Sequence, residues 1–184
     1  VYTSQEKTVP VVTYGFDLSK VFKNSLDTEK DLRATFNLYT DTEYAKGANR
    51  SPLTFKESEG YTVSKTGTVT PDIIATKGNV INVRGLSAGT YHLVETSTAD
   101  GYNLLDHDII INVTDKYDND ELIPEGLMLI TNGGEPTKTH SVEIENFKGI
   151  KLPSTGGMGT TVFAIVGLLV MAGAAVTLII KKRA

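Results

Sequence analysis

Hydrophobic residues recur at every second position through most of the chain, which is the periodicity of strands with one buried face. Turn-forming residues, mostly glycine beside a small or polar residue, separate the alternating runs. The pattern predicts one all-β domain over residues 13–150, folded as an antiparallel sandwich or barrel. The alternating apolar positions are Tyr14, Phe16, Leu18; Ala34, Phe36, Leu38; Leu53, Phe55; Tyr61, Val63; Ile81, Val83; Tyr91, Leu93; Ile109, Ile111, Val113; Leu127, Leu129; and Val142, Ile144.

The two ends of the chain depart from this pattern. Val162–Ile180 carries no charged residue over 19 positions, and a helix of that length covers roughly 28 Å, close to the hydrocarbon thickness of a bilayer. We therefore expect a single transmembrane helix over 161–180 and, because the basic residues 181–183 follow it, a cytoplasmic tail at 181–184. Residues 1–10 are polar and end in proline, and we expect residues 1–12 to be a linker or the end of a preceding domain.

Composition narrows the classes of partner and site. Before Gly156 the chain has 15 Lys and Arg against 22 Asp and Glu, and such an acidic surface argues against a nucleic acid partner. The absence of cysteine excludes disulfides and thiolate metal sites. The acidic stretch Asp115–Glu121 lacks the spacing of a calcium loop and is predicted to be a solvated loop. We expect no metal and no cofactor.

Three polar residues continue an apolar alternation and should therefore point toward the core. Lys20 follows Phe16 and Leu18, Glu95 follows Tyr91 and Leu93, and Asn146 follows Val142 and Ile144. Each would cost several kcal/mol if it were buried alone, so three inward-facing residues should meet.

These three residue types suit a crosslinking reaction. A lysine in an apolar site loses its proton and becomes a nucleophile, and a glutamate beside it can exchange protons with an amide. Attack of the Lys20 amine on the Asn146 side-chain carbonyl, with loss of ammonia, would give an intramolecular isopeptide bond. Periodicity leaves Lys23 and Asn112 open as a rival donor and a rival acceptor.

The same segments resemble the collagen-adhesin B-type (Cna-B) domains of Gram-positive pilins and surface adhesins. Phe16–Val21 and Ala34–Tyr39 are similar to the opening strands of that family. Gly85–Thr96, with Gly101–Asn103 after it, resembles its E-box, and Val142–Asn146 resembles its last strand. The resemblance implies an Ig-like sandwich, followed here by the transmembrane helix.

The resemblance also implies roles for individual residues. Lys20 would be the donor of the isopeptide bond, Glu95 its catalyst and Asn146 the acceptor. Ala99 stands where the family pattern has proline, and this departure concerns a turn rather than the chemistry.

A second motif lies between the β domain and the apolar run, within residues 151–160. Leu152, Pro153, Ser154, Thr155 and Gly156 resemble the LPXTG sorting signal of sortase substrates. The resemblance implies that sortase cuts between Thr155 and Gly156 and transfers the Thr155 carbonyl to an amine. The precursor would sit transiently in the plasma membrane, and the product would be anchored at the cell surface.

The leading functional hypothesis is the backbone subunit of a sortase-assembled pilus, linked covalently to adjacent subunits. No stretch of residues 1–184 resembles the family's pilin motif, so a basal or minor pilin, or an adhesin linked to peptidoglycan and binding a host surface ligand, remain alternatives. An enzyme is disfavoured, because the chain has no cysteine and no nucleophile elbow. His92, His107 and His140 are not at ligand spacing, and His92 is predicted to face solvent.

Overall fold

The computed structural model describes residues 12–118 and 121–149, and strands dominate this part of the chain. A four-residue helix, α1 (Asp41–Tyr44), and a 3₁₀ turn (Gly47–Asn49) follow the second strand. The strands are β1 (Tyr14–Lys23), β2 (Arg33–Thr40), β3 (Phe55–Glu57), β4 (Tyr61–Val63), β5 (Ile73–Thr76), β6 (Val80–Leu86), β7 (Gly89–Ser97), β8 (Ile109–Asp118), β9 (Glu121–Thr131), β10 (Thr137–Lys138) and β11 (Ser141–Phe147).

The strands form two sheets, which confirms the predicted all-β sandwich. One sheet has the order β11-β1-β6-β4-β3 and the other the order β10-β9-β8-β7-β2-β5. Most neighbours are antiparallel, as predicted, but β1 pairs with β11 and β4 pairs with β6 in parallel. Strands joined by a tight hairpin must be antiparallel. Because β1 and β11 are far apart in sequence and are not joined by a hairpin, they can pair in parallel.

The core lies between the two sheets and is built by strict alternation in the long strands. In β1 the burial alternates residue by residue from Tyr14 to Lys23. The prediction for β9 was wrong, because Met128 and Ile130 are buried while Leu127 and Leu129 are only half-buried. Because all four residues are apolar, periodicity does not show which pair is buried. The register with β8 decides it, since Met128 pairs with Val113, which faces the core.

The acidic stretch is also not the loop that was predicted. Residues 115–118 extend β8, and Glu121 begins β9, so most of the stretch belongs to a hairpin. Residues 114–117 are exposed, and the Asp115 carboxylate accepts a hydrogen bond of 2.6 Å from the Tyr14 hydroxyl. The end of β8 therefore continues beyond the core, and the exposed Asp115 lies at its rim.

The predicted sorting signal, transmembrane helix and basic tail lie outside the described residues, as does most of the predicted linker. Within residues 12–118 and 121–149, no helix has the length and apolar character needed to cross a bilayer. The strands occupy the span from Tyr14 to Phe147, and the boundaries proposed for the flanking segments stay predictions.

Candidate crosslinking site

The structure brings Lys20, Glu95 and Asn146 together inside the sandwich. Their side chains are 1%, 7% and 2% exposed, respectively. Lys20 on β1 and Asn146 on β11 belong to neighbouring strands of one sheet, and Phe22 of β1 is the register partner of Asn146. Glu95 reaches them from β7 in the opposite sheet. The site therefore bridges the two layers.

The Lys20 amine faces the acceptor side chain directly. Nζ donates a hydrogen bond of 2.6 Å to Asn146 Oδ1, and further bonds of 3.1 Å each to the carbonyl oxygens of Val21 and Ile144. The Phe22 ring centroid lies 4.4 Å from Nζ and forms an apolar wall of the site. The amine is thus held against the amide group that it would attack.

The amide nitrogen of Asn146 faces the glutamate. Nδ2 donates to both carboxyl oxygens of Glu95, each at 2.9 Å, and to Thr98 Oγ1 at 2.6 Å. The backbone N–H of Leu105 donates a bond of 2.9 Å to Glu95 Oε2 and fixes the carboxyl group from the other side. The group that must leave as ammonia therefore lies beside a side chain that can exchange protons.

Burial also prepares the amine for reaction. Removal of Lys20 from water lowers its pKa to about 8, even though the negative charges of Glu95 and Glu145 oppose the shift. At pH 7 roughly a tenth of such an amine is neutral, compared with about 0.03% at the ordinary lysine pKa. The site raises the nucleophilic fraction by about 300-fold.

The rival donor and acceptor do not meet. Lys23 lies on the opposite face of β1, where its side chain is 39% exposed and forms an ion pair with Glu145. Asn112 on β8 is half-buried and accepts a hydrogen bond of 2.8 Å from Thr90. Neither residue contacts the Lys20 site, so the alternative pairing has no support in the described residues.

A family model described as a prealbumin-like fold domain matches residues 19–122, more than half of the chain. The chain belongs to the prealbumin-like fold domain family. The match covers Lys20 and Glu95, and a second model, the LPXTG cell wall anchor motif, matches residues 146–184 and begins at Asn146. The protein is therefore a surface protein with a prealbumin-like domain and a sortase-type anchor to the cell wall.

Three relatives show the range of similarity. The trypsin-resistant surface T6 protein of Streptococcus pyogenes serotype M6 is 27% identical to this chain over the full 184 residues. The matched region makes up only 33% of the T6 protein. A minor pilin of Streptococcus agalactiae is 25% identical, with 78% of this chain and 48% of that chain covered and a TM-score of 0.49. The major pilin subunit of Bacillus cereus is 20% identical, with 73% and 28% covered and a TM-score of 0.36.

Sequence periodicity missed two groups of this prealbumin-like domain that contact the site. Thr98 lies just beyond β7 and would not share the face of Glu95 in a regular strand. The pairing of β7 with β2 skips one residue, since Phe36 pairs with Glu95 and Thr35 pairs with Ser97. This bulge reverses the alternation and turns Thr98 inward. The Leu105 N–H is a backbone donor, and the sequence carries no signal for it.

The prediction for His92 was wrong, because the residue is buried, with 9% of its surface exposed. It does point away from the core, but α1 and the segment before β8 cover that face. Nδ1 contacts Asp108, Nε2 lies 3.1 Å from Asp41 Oδ1, and the ring stacks on Tyr44 at 4.0 Å. His92 thus holds α1 onto the outer face of the six-stranded sheet.

His107 connects the segment after Leu105 to the end of β9. Its Nδ1 lies 2.7 Å from Asp106 Oδ1 and its Nε2 lies 3.0 Å from Asn132 Oδ1. Hydrogen bonding to Asp106 and then to Asn132 raises the pKa of His107. In the charged form both ring nitrogens donate, which satisfies both oxygen acceptors.

Proposed function

We propose that Lys20 and Asn146 form an intramolecular isopeptide bond, with Glu95 as the proton-transferring catalyst. The neutral amine attacks Cγ of Asn146, a C–N bond forms, and the bond from Cγ to Nδ2 breaks. One proton of Nζ passes through Glu95 to Nδ2, which departs as ammonia. The observation that carries the proposal is the buried 2.6 Å contact between Nζ and Oδ1, with Glu95 against Nδ2.

We further propose that the chain is the C-terminal part of a pilus backbone subunit. Sortase would cut the motif at Thr155 and join its carbonyl to a lysine of the next subunit, or to peptidoglycan at the base of the fibre. The anchor motif and the family membership support this assignment. The internal bond would be made once in each molecule, so the protein acts as a structural unit rather than as an enzyme.

Intact mass of the purified full chain tests the bond. Formation should remove about 17 Da, the mass of one ammonia, from the mass calculated for the sequence. The loss should be absent from Lys20→Met, Glu95→Gln and Asn146→Ala. Lys23→Met is the matched control, because Lys23 lies on the same strand but faces solvent, and it should still lose ammonia. A parent chain with its full calculated mass would refute the bond.

The assembly hypothesis has a separate test. In cells expressing the complete protein and its sortase, immunoblots of wall extracts boiled in detergent should show a ladder of covalent polymers. Replacement of Thr155 by alanine should abolish the ladder and the wall attachment together. A single wall-linked band in place of the ladder would refute the backbone role and favour an adhesin or a basal subunit.

A further inference from the structure

Thr98 makes the shortest contact to the amide nitrogen of Asn146. Its hydroxyl oxygen lies 2.6 Å from Nδ2, compared with 2.9 Å for each Glu95 oxygen. An amide nitrogen has two hydrogens; one is shared between the two Glu95 oxygens, and the other points to Thr98. The nitrogen that would leave is therefore fully hydrogen-bonded before the reaction begins.

The position of Thr98 depends on the local backbone of this chain. The bulge at Thr96 turns Thr98 toward Asn146 and leaves Thr96 and Ser97 exposed. Thr96 instead donates a bond of 3.2 Å to the Thr35 carbonyl oxygen on the outer side of the sheet. Thr96 and Thr98 therefore lie two positions apart, but only Thr98 contacts an atom that takes part in the reaction.

We propose that Thr98 is a catalytic residue of the crosslinking reaction, and that its hydroxyl stabilises the departing nitrogen; this inference rests on the proposed isopeptide bond. Two effects follow from the contact. The hydroxyl fixes the amide with Oδ1 toward Lys20 and Nδ2 toward Glu95, so the amine faces the carbonyl and the leaving group faces the proton donor. As Nδ2 gains a proton, its N–H groups become stronger donors, and the bond to Thr98 strengthens.

The reaction can be timed because only folded chains bring the three groups together. Full chain purified unreacted in denaturant is diluted into detergent-containing buffer at pH 7, and samples are quenched in acid for intact mass. The variants are Thr98→Val, which keeps the shape but removes the hydroxyl, and Thr98→Ser, which keeps the hydroxyl. Thr96→Val is the matched control. Circular dichroism of each refolded sample reports whether the sandwich has formed.

Thr98→Val should lose the roughly 17 Da of ammonia at a rate at least about tenfold lower than that of the parent, because one hydrogen bond to the reacting nitrogen is removed. Thr98→Ser and Thr96→Val should react within about threefold of the parent rate. The tenfold effect should persist at pH 6 and pH 8, because Thr98 does not titrate, whereas the parent rate itself should rise with pH.

Three other outcomes would overturn one or both of the proposals. Equal rates in the parent and in a folded Thr98→Val would overturn the role of Thr98 and leave the isopeptide proposal intact. A slow Thr98→Ser together with a slow Thr98→Val would also overturn it, because packing rather than the hydroxyl would then be responsible. A parent that folds but loses no ammonia would overturn both proposals.

Discussion

A Glu95→Gln variant should fold without the Lys20–Asn146 bond and reveal how much that bond stabilises the sandwich. Glutamine has nearly the same size as glutamate, and its amide oxygen can still accept from the Leu105 N–H. It cannot carry a proton from Nζ to Nδ2 under ordinary conditions. The variant therefore removes the reaction while the donor and the acceptor stay in place.

The size of the effect follows from the length of chain that the bond closes. Lys20 and Asn146 are 126 residues apart, and a covalent link over such a loop stabilises the folded state by about 5 kcal/mol through the lost entropy of the unfolded chain. For a domain of this size, 1 kcal/mol shifts the melting temperature by about 3–4 °C. The variant should melt about 15–20 °C below the parent.

Differential scanning calorimetry at pH 7 measures the difference, and intact mass on the same samples verifies which chains carry the bond. Glu143→Gln, an exposed carboxylate on β11, is the control for loss of one negative charge and should melt close to the parent. If a bond-free Glu95→Gln melts within about 5 °C of a crosslinked parent, the loop-entropy reasoning is wrong. If Glu95→Gln still loses ammonia, the proposed role of Glu95 is wrong.

Three further predictions concern other groups. Because burial lowers the pKa of Lys20 to about 8, ammonia loss should slow about tenfold per pH unit below 8 and level off above it, and a flat rate from pH 6 to 8 would contradict this. Because the pKa of His107 is raised in the folded state, its positive charge stabilises the fold below pH 6.5, and this contribution disappears as the pH rises through the folded-state pKa. His107→Gln should remove that pH dependence from the free energy of unfolding measured in urea, and an unchanged dependence would contradict the role of His107. Gly126→Ala should lower the free energy of unfolding in urea by more than about 1 kcal/mol, because Gly126 has φ +56 and a Cβ there would lie 2.5 Å from a Tyr14 ring carbon. A Cβ at Gly134 would meet open space, so the control Gly134→Ala should unfold like the parent.

The inward placement of the three site residues could be predicted because each lies in a strand where polar and apolar residues alternate. Periodicity gives the face of a residue but not the order of the strands. The contact of Glu95 with Asn146 across the layers was therefore expected from the cost of burying each group alone and from the family resemblance. The bulge at Thr96 has no clear sequence signal, and Thr98 was therefore missed.

The errors in burial arose where contacts between different elements decide which residues are covered. The apolar run through Met128 fits either face of β9, and only pairing with β8 resolves the choice. For His92 the predicted face was right, since the residue does point away from the core. The prediction of exposure failed because α1 folds over that side of the sheet, and packing of a short helix from elsewhere in the chain is not encoded in strand periodicity.

The parallel pairing of the first and last strands sets how the domain would carry a pull along its length. Tyr14 and Phe147 lie at opposite ends of this strand pair, so tension applied through the two ends of the domain shears all the β1–β11 hydrogen bonds together rather than peeling them one by one. With the proposed bond in place, the load would cross from Lys20 to Asn146 and bypass residues 21–145. About 400 Å of chain would then not extend when the domain is pulled from its two ends.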